Sequence, residues 1–287
     1  MVTVFTPVYN REKEIVKLYE SLCRQTVKDF EWIVVDDGSK DNVWNELQKF
    51  QVETQDFPIR IYQQNNAGKH TAINTGVKYA SGEYFVIVDS DDFMVDNAIE
   101  TIISEFRNLP SNYAGIGLQR IAPDGNVIGS TFQGEYVDAT TCDRPKYHIE
   151  GDKAEVFYTA VIKKYPFPVF EGEKFLSEAC VWYKMSHDGL LIRWINKPAV
   201  VCEYLEGGLT DNSEKLALNN FKGSTYKAKV MLQCNLPKST RMKTIGNYVY
   251  LGRLKKMSLT ELANNIEVPL YEAFLCFALC VLKKKIK

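Results

Sequence analysis

The apolar run "YFVIVDSDDFMV", Tyr84 to Val95, ends in three carboxylates within four residues: Asp89, Asp91 and Asp92. Like charges this close repel, so the arrangement calls for a cation. If the strand continued, alternation would turn Asp89 and Asp91 the same way. Two oxygen donors on one side suit a hard divalent ion, which commonly sits between one or two carboxylates and the phosphates of a substrate. Without that ion, one of the pair should be harder to ionise than usual. The plain alternative is a solvated loop whose aspartates cap turns. A second acidic pair, Asp36 and Asp37, follows the apolar "FEWIVV", and Thr6, Pro7 and Tyr9 end a third run, "VTVFTPVY". A tyrosine ring can stack on a nucleobase and a carboxylate can accept an imide N–H, although "DDGS" is equally strong turn chemistry. In "NNAGKH", Lys69 follows Gly68, whose missing side chain lets the backbone approach a diphosphate that the ammonium would meet.

These residues need strands that end at one edge. Apolar strand signals alternate with helical ones through the first hundred residues. "REKEIVKLYESLCRQ" puts Ile15, Leu18, Tyr19 and Leu22 on one helical face, with Asn10 placed to cap it. Weaker helices are expected at "NELQKFQVE", "AGKHTAINTGVKYA" and "VDNAIETIISEFR", and a short strand at "IRIYQQ". The rhythm predicts an α/β fold: an open, mostly parallel, Rossmann-like sheet with helices on both faces and ligands beyond the strand C-termini. After residue 110 we expect strands around a turn at Asp124-Gly125, a helix near Lys153 to Thr159, a helix over "EKFLSEACVWYKMSHD", and strand–turn–strand in "LLIRWINKPAVVCEY".

The chain has 287 residues, 45% hydrophobic and 25% charged, with a net charge of -1. From Asp211 to Lys287 there are 14 Lys or Arg against 5 Asp or Glu, so a basic end is attached to an acidic body. That asymmetry suggests a local anionic contact, and with no nucleic-acid reading motif it argues against an RNA or DNA partner. The seven scattered cysteines show no metal-ligand spacing and read as reduced thiols. The chain opens directly on a strand, so a cytoplasmic location is expected, with the cytosolic face of the membrane as an extension of it. The final "YEAFLCFALCVLKKKIK" is apolar with a basic end. It suits either a peripheral contact with anionic lipid or a helix docked on the protein's own core.

The segments "TPVYNRE", "VVDDGSKD", "NNAGKHTAINTG" and "GEYFVIVDSDD", followed later by "EKFLSEACVW", resemble the successive motifs of family 2 glycosyltransferases of the GT-A fold, bacterial surface-polysaccharide type. The first four cover residues 3–92 in order. The resemblance implies inverting transfer from a nucleotide sugar, most often UDP-linked, to a saccharide or lipid-linked saccharide. By it, Thr6, Pro7 and Tyr9 hold the nucleoside, Asp37 takes the base edge, and Asp36 lies close by. Asp91 becomes the main ligand of Mn2+ or Mg2+, with Asp89 beside the ribose or a metal-bound water. Asn66, Gly68 and Lys69 lie by the donor, while Asn74 and Gly76 shape the following helix; His70 is open between donor contact and helix end.

The family's catalytic base is usually the Asp of an "ED" pair. Here Glu178 matches the first member and Ala179 stands in place of the Asp, which leaves Glu178 as the favoured base and Glu173 as its competitor. Trp182 could line the acceptor site or pack in the core. "YLEGGLTDNSEK" resembles a closing loop, with Thr210 and Ser213 as possible phosphate donors. The expected organisation is a catalytic domain over 1–210, split into a donor half (1–100) and an acceptor half (101–210), and a basic helical extension over 211–287. An inactive nucleotide-sugar-binding scaffold and a metal-dependent nucleotidyltransferase remain the rival readings.

Overall fold

The computed structural model describes residues 1–107, 109–110, 112–203 and 213–285. Strand β1 (Val2–Val8) is buried along its whole length, as is β2 (Phe30–Asp36), so helices must cover both faces of the sheet. Between them runs α1 (Glu14–Cys23), whose Ile15, Leu18 and Leu22 point into the core. The chain continues through α2 (Val43–Glu53), β3 (Ile59–Gln63), α3 (Lys69–Tyr79), β4 (Tyr84–Ile87), the short β5 (Asp92–Met94), α4 (Ala98–Phe106) and β6 (Tyr113–Ile121). Next come β7 (Tyr136–Ala139), β8 (Lys153–Tyr158), the single turn α5 (Thr159–Ile162), α6 (Ala179–His187) and β9 (Leu191–Cys202). Five helices follow: α7 (Ser213–Asn219), α8 (Phe221–Gln233), α9 (Lys238–Leu254), α10 (Leu259–Asn265) and α11 (Leu270–Lys285).

The strand order is β3-β2-β1-β4-β8-β6-β9-β5, with β7 also on β9. The expected α/β sheet is present, but its parallel character holds mainly in the first hundred residues. Pairings β1·β2, β1·β4, β2·β3 and β6·β9 are parallel, whereas β4·β8, β6·β8, β5·β9 and β7·β9 are antiparallel. In the parallel half, Val8 lies opposite Asp36 and Phe5 opposite Ile87. The polar residues that follow these three strands therefore emerge at one edge, where open α/β sheets bind ligands. Glu31 is buried within β2. Burial would raise its pKa, but hydrogen bonds from Thr3 and Ser81 and the nearby Arg60 guanidinium hold it below the usual carboxylate range.

Three expectations are corrected. Lys153 to Tyr158 forms a central strand, not a helix: β8 pairs with both β4 and β6, and the context of "KAEVFY" overrides the helical preference of its first residues. "LIRWINKPAVVC" is one strand, because Pro198 falls at register shifts in the β6·β9 pairing where the ladder tolerates it. The cysteines are not all free thiols either. Cys142 and Cys234 form a disulfide across 92 residues, a pairing that only the tertiary fold brings about, while Cys23, Cys180, Cys202, Cys276 and Cys280 are unpaired.

Helices α8 to α11 have their own apolar cluster, built on Phe221, Ile245, Tyr248, Val249, Leu262 and Ala273. Among the described residues no single helix is long and apolar enough to cross a membrane. Residues Leu259–Asn265 and Leu270–Leu282 reach that composition only as a pair bent by 108°.

Candidate active site

The loops leaving β1 and β2 are stitched together. The Asn10 N–H donates to Ser39 Oγ at 2.9 Å and Asn10 Oδ1 accepts from the Lys40 N–H at 2.8 Å. Glu12 and residues 41–42 exchange two more bonds of the same kind. Asn10 thus does not cap α1, which starts at Glu14; it takes a left-handed φ of 53° and bonds across the loops instead. Tyr9 stands outside this seam, 45% exposed, its ring available for stacking. Thr6 is different. Its hydroxyl accepts from the Trp32 indole N–H at 3.0 Å and is fully buried, so this side chain cannot hold a nucleoside. Pro7 is likewise buried within the strand.

Asp36 and Asp37 act first as struts. Asp36 accepts from the Ser39 N–H at 2.8 Å and from Gln63 Nε2 at 2.8 Å. Asp37 accepts from the Ala67 N–H at 2.9 Å, the Gly68 N–H at 2.7 Å and Gln64 Nε2 at 2.8 Å. The acidic pair therefore fixes the loop that presents Asn66, Gly68 and Lys69. Sequence reading passed over Gln63 and Gln64; their amides pointed to nothing without the register that sets them beside the carboxylates.

Gly68 has φ +97°, and a Cβ there would lie 1.9 Å from the Lys174 carbonyl oxygen. Replacing Gly68 with Ala is expected to destabilise the fold by about 2 kcal/mol, measured as a fall in the urea midpoint with an unchanged slope.

At the start of α3, the Lys69 ammonium lies 2.6 Å from Asp89 Oδ1 and 2.6 Å from Glu178 Oε1. Burial alone would lower the Lys69 pKa; the two carboxylates outweigh it and hold the lysine above its ordinary value. Burial likewise works against Asp89, yet Lys69 and Arg120 pull its pKa down. Asp91 is raised, by burial and then by the charge of Asp89, as the crowded acidic loop implied. Arg11 Nη2 reaches to 3.9 Å from Asp91 Oδ2, linking Asp91 to the loop that carries Tyr9. Arg11 stands within "TPVYNRE", so this signal was available in the sequence. The third aspartate, Asp92, is taken up by other partners, bonded to Arg120 at 2.7 Å and to Cys202 Sγ at 3.3 Å. Burial pushes its pKa up to about 6, against the pull of Arg120.

Glu178 stands at the N-cap of α6, so the strand-end carboxylates and this helix start converge on one lysine. Glu173 does not join them. Its two oxygens accept the N–H groups of Lys222 and Gly223 at 2.7 and 2.8 Å, capping the first turn of α8. Glu173→Ala is expected to cost about 1 kcal/mol of stability while sparing sugar transfer, checked by thermal melts beside product formation. Trp182 packs against Phe157 and Phe167 in the core, so it does not line an acceptor surface. Asn74 clasps the Phe167 backbone with both ends of its amide, and a Cβ on Gly76 would strike the Phe5 ring. His70 is buried, its Nδ1 without a hydrogen-bond partner, and burial lowers its pKa. Tyr204 to Asn212, with Thr210, lie outside the described residues, as does the side chain of Ser213.

No group of three or more His, Cys, Asp or Glu side chains is arranged to hold a metal among the described residues. Asp91 and Asp89 fit a divalent ion only as a partial, all-oxygen set, the kind that substrate phosphates complete.

The family model "Glycosyl transferase family 2" matches residues 3–161. The chain belongs to this family. Among curated relatives, the glycosyltransferase GlyG of Streptococcus pneumoniae is 40% identical over 106 residues, 37% of this chain and 35% of that protein. Chondroitin synthase of Escherichia coli is 38% identical over 108 residues, 37% of this chain and 15% of that protein. The matched stretches thus span about a third or less of these relatives' lengths. Among solved structures, residues 1–349 of Staphylococcus aureus TarS, in complex with UDP-GlcNAc, superpose with a TM-score of 0.64 at 22% identity, covering 90% of this chain and 74% of that one. The mannosyltransferase PcManGT of Pyrobaculum calidifontis, in complex with GDP-Man and Mn2+, gives 0.56 at 15% identity over 98% of this chain and 74% of that one. Likeness at these identities is likeness of the GT-A fold.

Proposed function

We propose that this family 2 glycosyltransferase moves a sugar, with inversion, from a UDP-linked donor to a saccharide or lipid-linked saccharide. The observation that carries the reading is the Lys69 ammonium shared by Asp89 and Glu178 at the C-terminal edge of the parallel strands. It puts a cation for the diphosphate and a carboxylate for the acceptor within one side chain's reach of each other. The family match supports the reaction class, and TarS with UDP-GlcNAc and chondroitin synthase support the donor and acceptor classes.

In this reading the uracil stacks on Tyr9. Asp37, while bracing the Gly68 loop, takes the imide N–H, with Asp36 holding Gln63 at the end of β3 that leads into that loop. The diphosphate lies against Asn66 and the Gly68 backbone. Its negative charge draws Lys69 from Glu178, freeing that carboxylate for the acceptor. Glu178 then accepts the proton of the acceptor hydroxyl as the hydroxyl oxygen bonds to the anomeric carbon from the face opposite the diphosphate. The anomeric C–O bond breaks in the same event, and its electron pair leaves with UDP. Mn2+ or Mg2+ held by Asp91 and Asp89 would neutralise charge on the departing diphosphate; PcManGT with GDP-Man and Mn2+ supports a metal here.

The test is titration calorimetry of UDP- and GDP-sugars with and without Mn2+, followed by product assay with saccharide acceptors. The expected result is saturable, metal-enhanced binding of one UDP-sugar, and transfer. Failure of every nucleotide sugar to bind would overturn the reading. Binding without transfer to any acceptor would favour a scaffold, the reading that Ala179 in the usual base position suggests.

A further inference from the structure

Helix α11 has two apolar sides. Ala273 and Cys276 are buried, with Phe277 packed beside them, in the cluster shared with α9 and α10. The other side carries Leu270, Tyr271, Phe274, Leu275, Leu279 and Leu282, each 44 to 70% exposed. These are six of the fifteen large hydrophobics exposed among the described residues. The other nine are dispersed along the chain, which is ordinary for a protein surface, whereas these six recur at helical spacing and form one stripe. Lys283, Lys284, Lys285 and Lys287 follow directly in the sequence.

We propose that this side of α11 docks on an anionic lipid bilayer, the helix lying in the interface plane with its apolar stripe among the acyl chains and the lysine run at the headgroups. The charge pattern selects lipid over a second copy of the chain. The one acid of α11, Glu272, is already held by Arg241 Nε and Nη2 at 2.7 and 2.9 Å. Two copies meeting along this helix, parallel or antiparallel, would find no free carboxylate of α11 to answer their lysines, while an anionic bilayer supplies both the apolar phase and the counter-charge. Length selects lying over crossing. α11 has 16 residues, and its bent neighbour α10 keeps Leu262 and Ala263 buried in the protein. An aromatic pair, Tyr271 and Phe274, adds side chains that suit the interface.

The full chain should sediment with phosphatidylcholine vesicles containing phosphatidylglycerol, and progressively less as salt is raised. Phe274→Glu with Leu275→Glu should weaken this binding by about tenfold or more at an unchanged melting temperature, since both residues are exposed. Lys283→Gln, Lys284→Gln and Lys285→Gln together should erase the preference for anionic over neutral vesicles. The proposal is overturned if the chain stays in the supernatant with anionic vesicles, or if it binds neutral vesicles equally well. It also falls if light scattering finds a dimer that the Glu variants convert to monomer while vesicle binding is untouched. None of these readouts involves sugar transfer, so failure here and failure of the transferase reading are told apart.

Discussion

Asp91→Ala is expected to abolish the manganese-dependent part of donor binding and to leave the protein folded. The Asp91 side chain is partly exposed, and its one ion pair among the described residues is with Arg11 at the long distance of 3.9 Å, so little structure rests on it. Asp92 with Arg120 and Asp89 with Lys69 keep their own pairs in the variant. What is lost is the acidic oxygen pair that a diphosphate-bound ion would need. That contribution should be worth roughly 2–3 kcal/mol, or about 30- to 160-fold in Kd, when Mn2+ is present. Calorimetry checks it directly: the wild-type protein should bind its UDP-sugar more tightly with Mn2+ than without, and the variant should bind equally weakly in both. A variant that kept the full metal enhancement would remove Asp91 from the site.

Glu178→Gln is the complementary case. The amide keeps the shape and can still accept a hydrogen bond from Lys69, so donor affinity should stay within about threefold of wild type, under 1 kcal/mol. It cannot take up the acceptor proton. Transfer should fall by about 10²- to 10⁴-fold in kcat, the usual range for a lost general base. The control is Glu173→Ala, which breaks the α8 cap and should lower the melting temperature without this kinetic signature. Steady-state rates for both variants against one acceptor decide between them. Undiminished transfer by the Gln variant would exclude Glu178 as the base.

The first hundred residues were legible because their signals are local. Continuous apolar runs made β1, β2 and β4 recognisable, and turn residues marked where each ended. The parallel alignment that gathers those ends then follows from the alternating strand and helix pattern. Beyond residue 110 the decisive contacts join distant segments. Lys153 to Tyr158 is a strand because β4 and β6 flank it, and Cys142 finds Cys234 across 92 residues. The carboxylates were identified as a group, but their division of labour was not. Asp36 and Asp37 brace a loop, Asp92 serves Arg120, and Glu173 caps a helix some fifty residues later, because hydrogen-bond partners are chosen by tertiary placement rather than by residue type.

That last arrangement bears on where the protein can be cut. Glu173 receives the first N–H groups of α8, while Asn220 Oδ1 receives those of Lys174 and Phe175 at 2.9 and 3.0 Å. The Lys174 carbonyl also presses on Gly68, next to the lysine that holds Glu178. Residues 173–175 are thus a splice with one strand of the joint in each half of the chain. A fragment ending at residue 210 would keep every acidic side chain of the cleft and lose the joinery that seats the approach to α6. A version of this protein that keeps this joint has to run at least into α8.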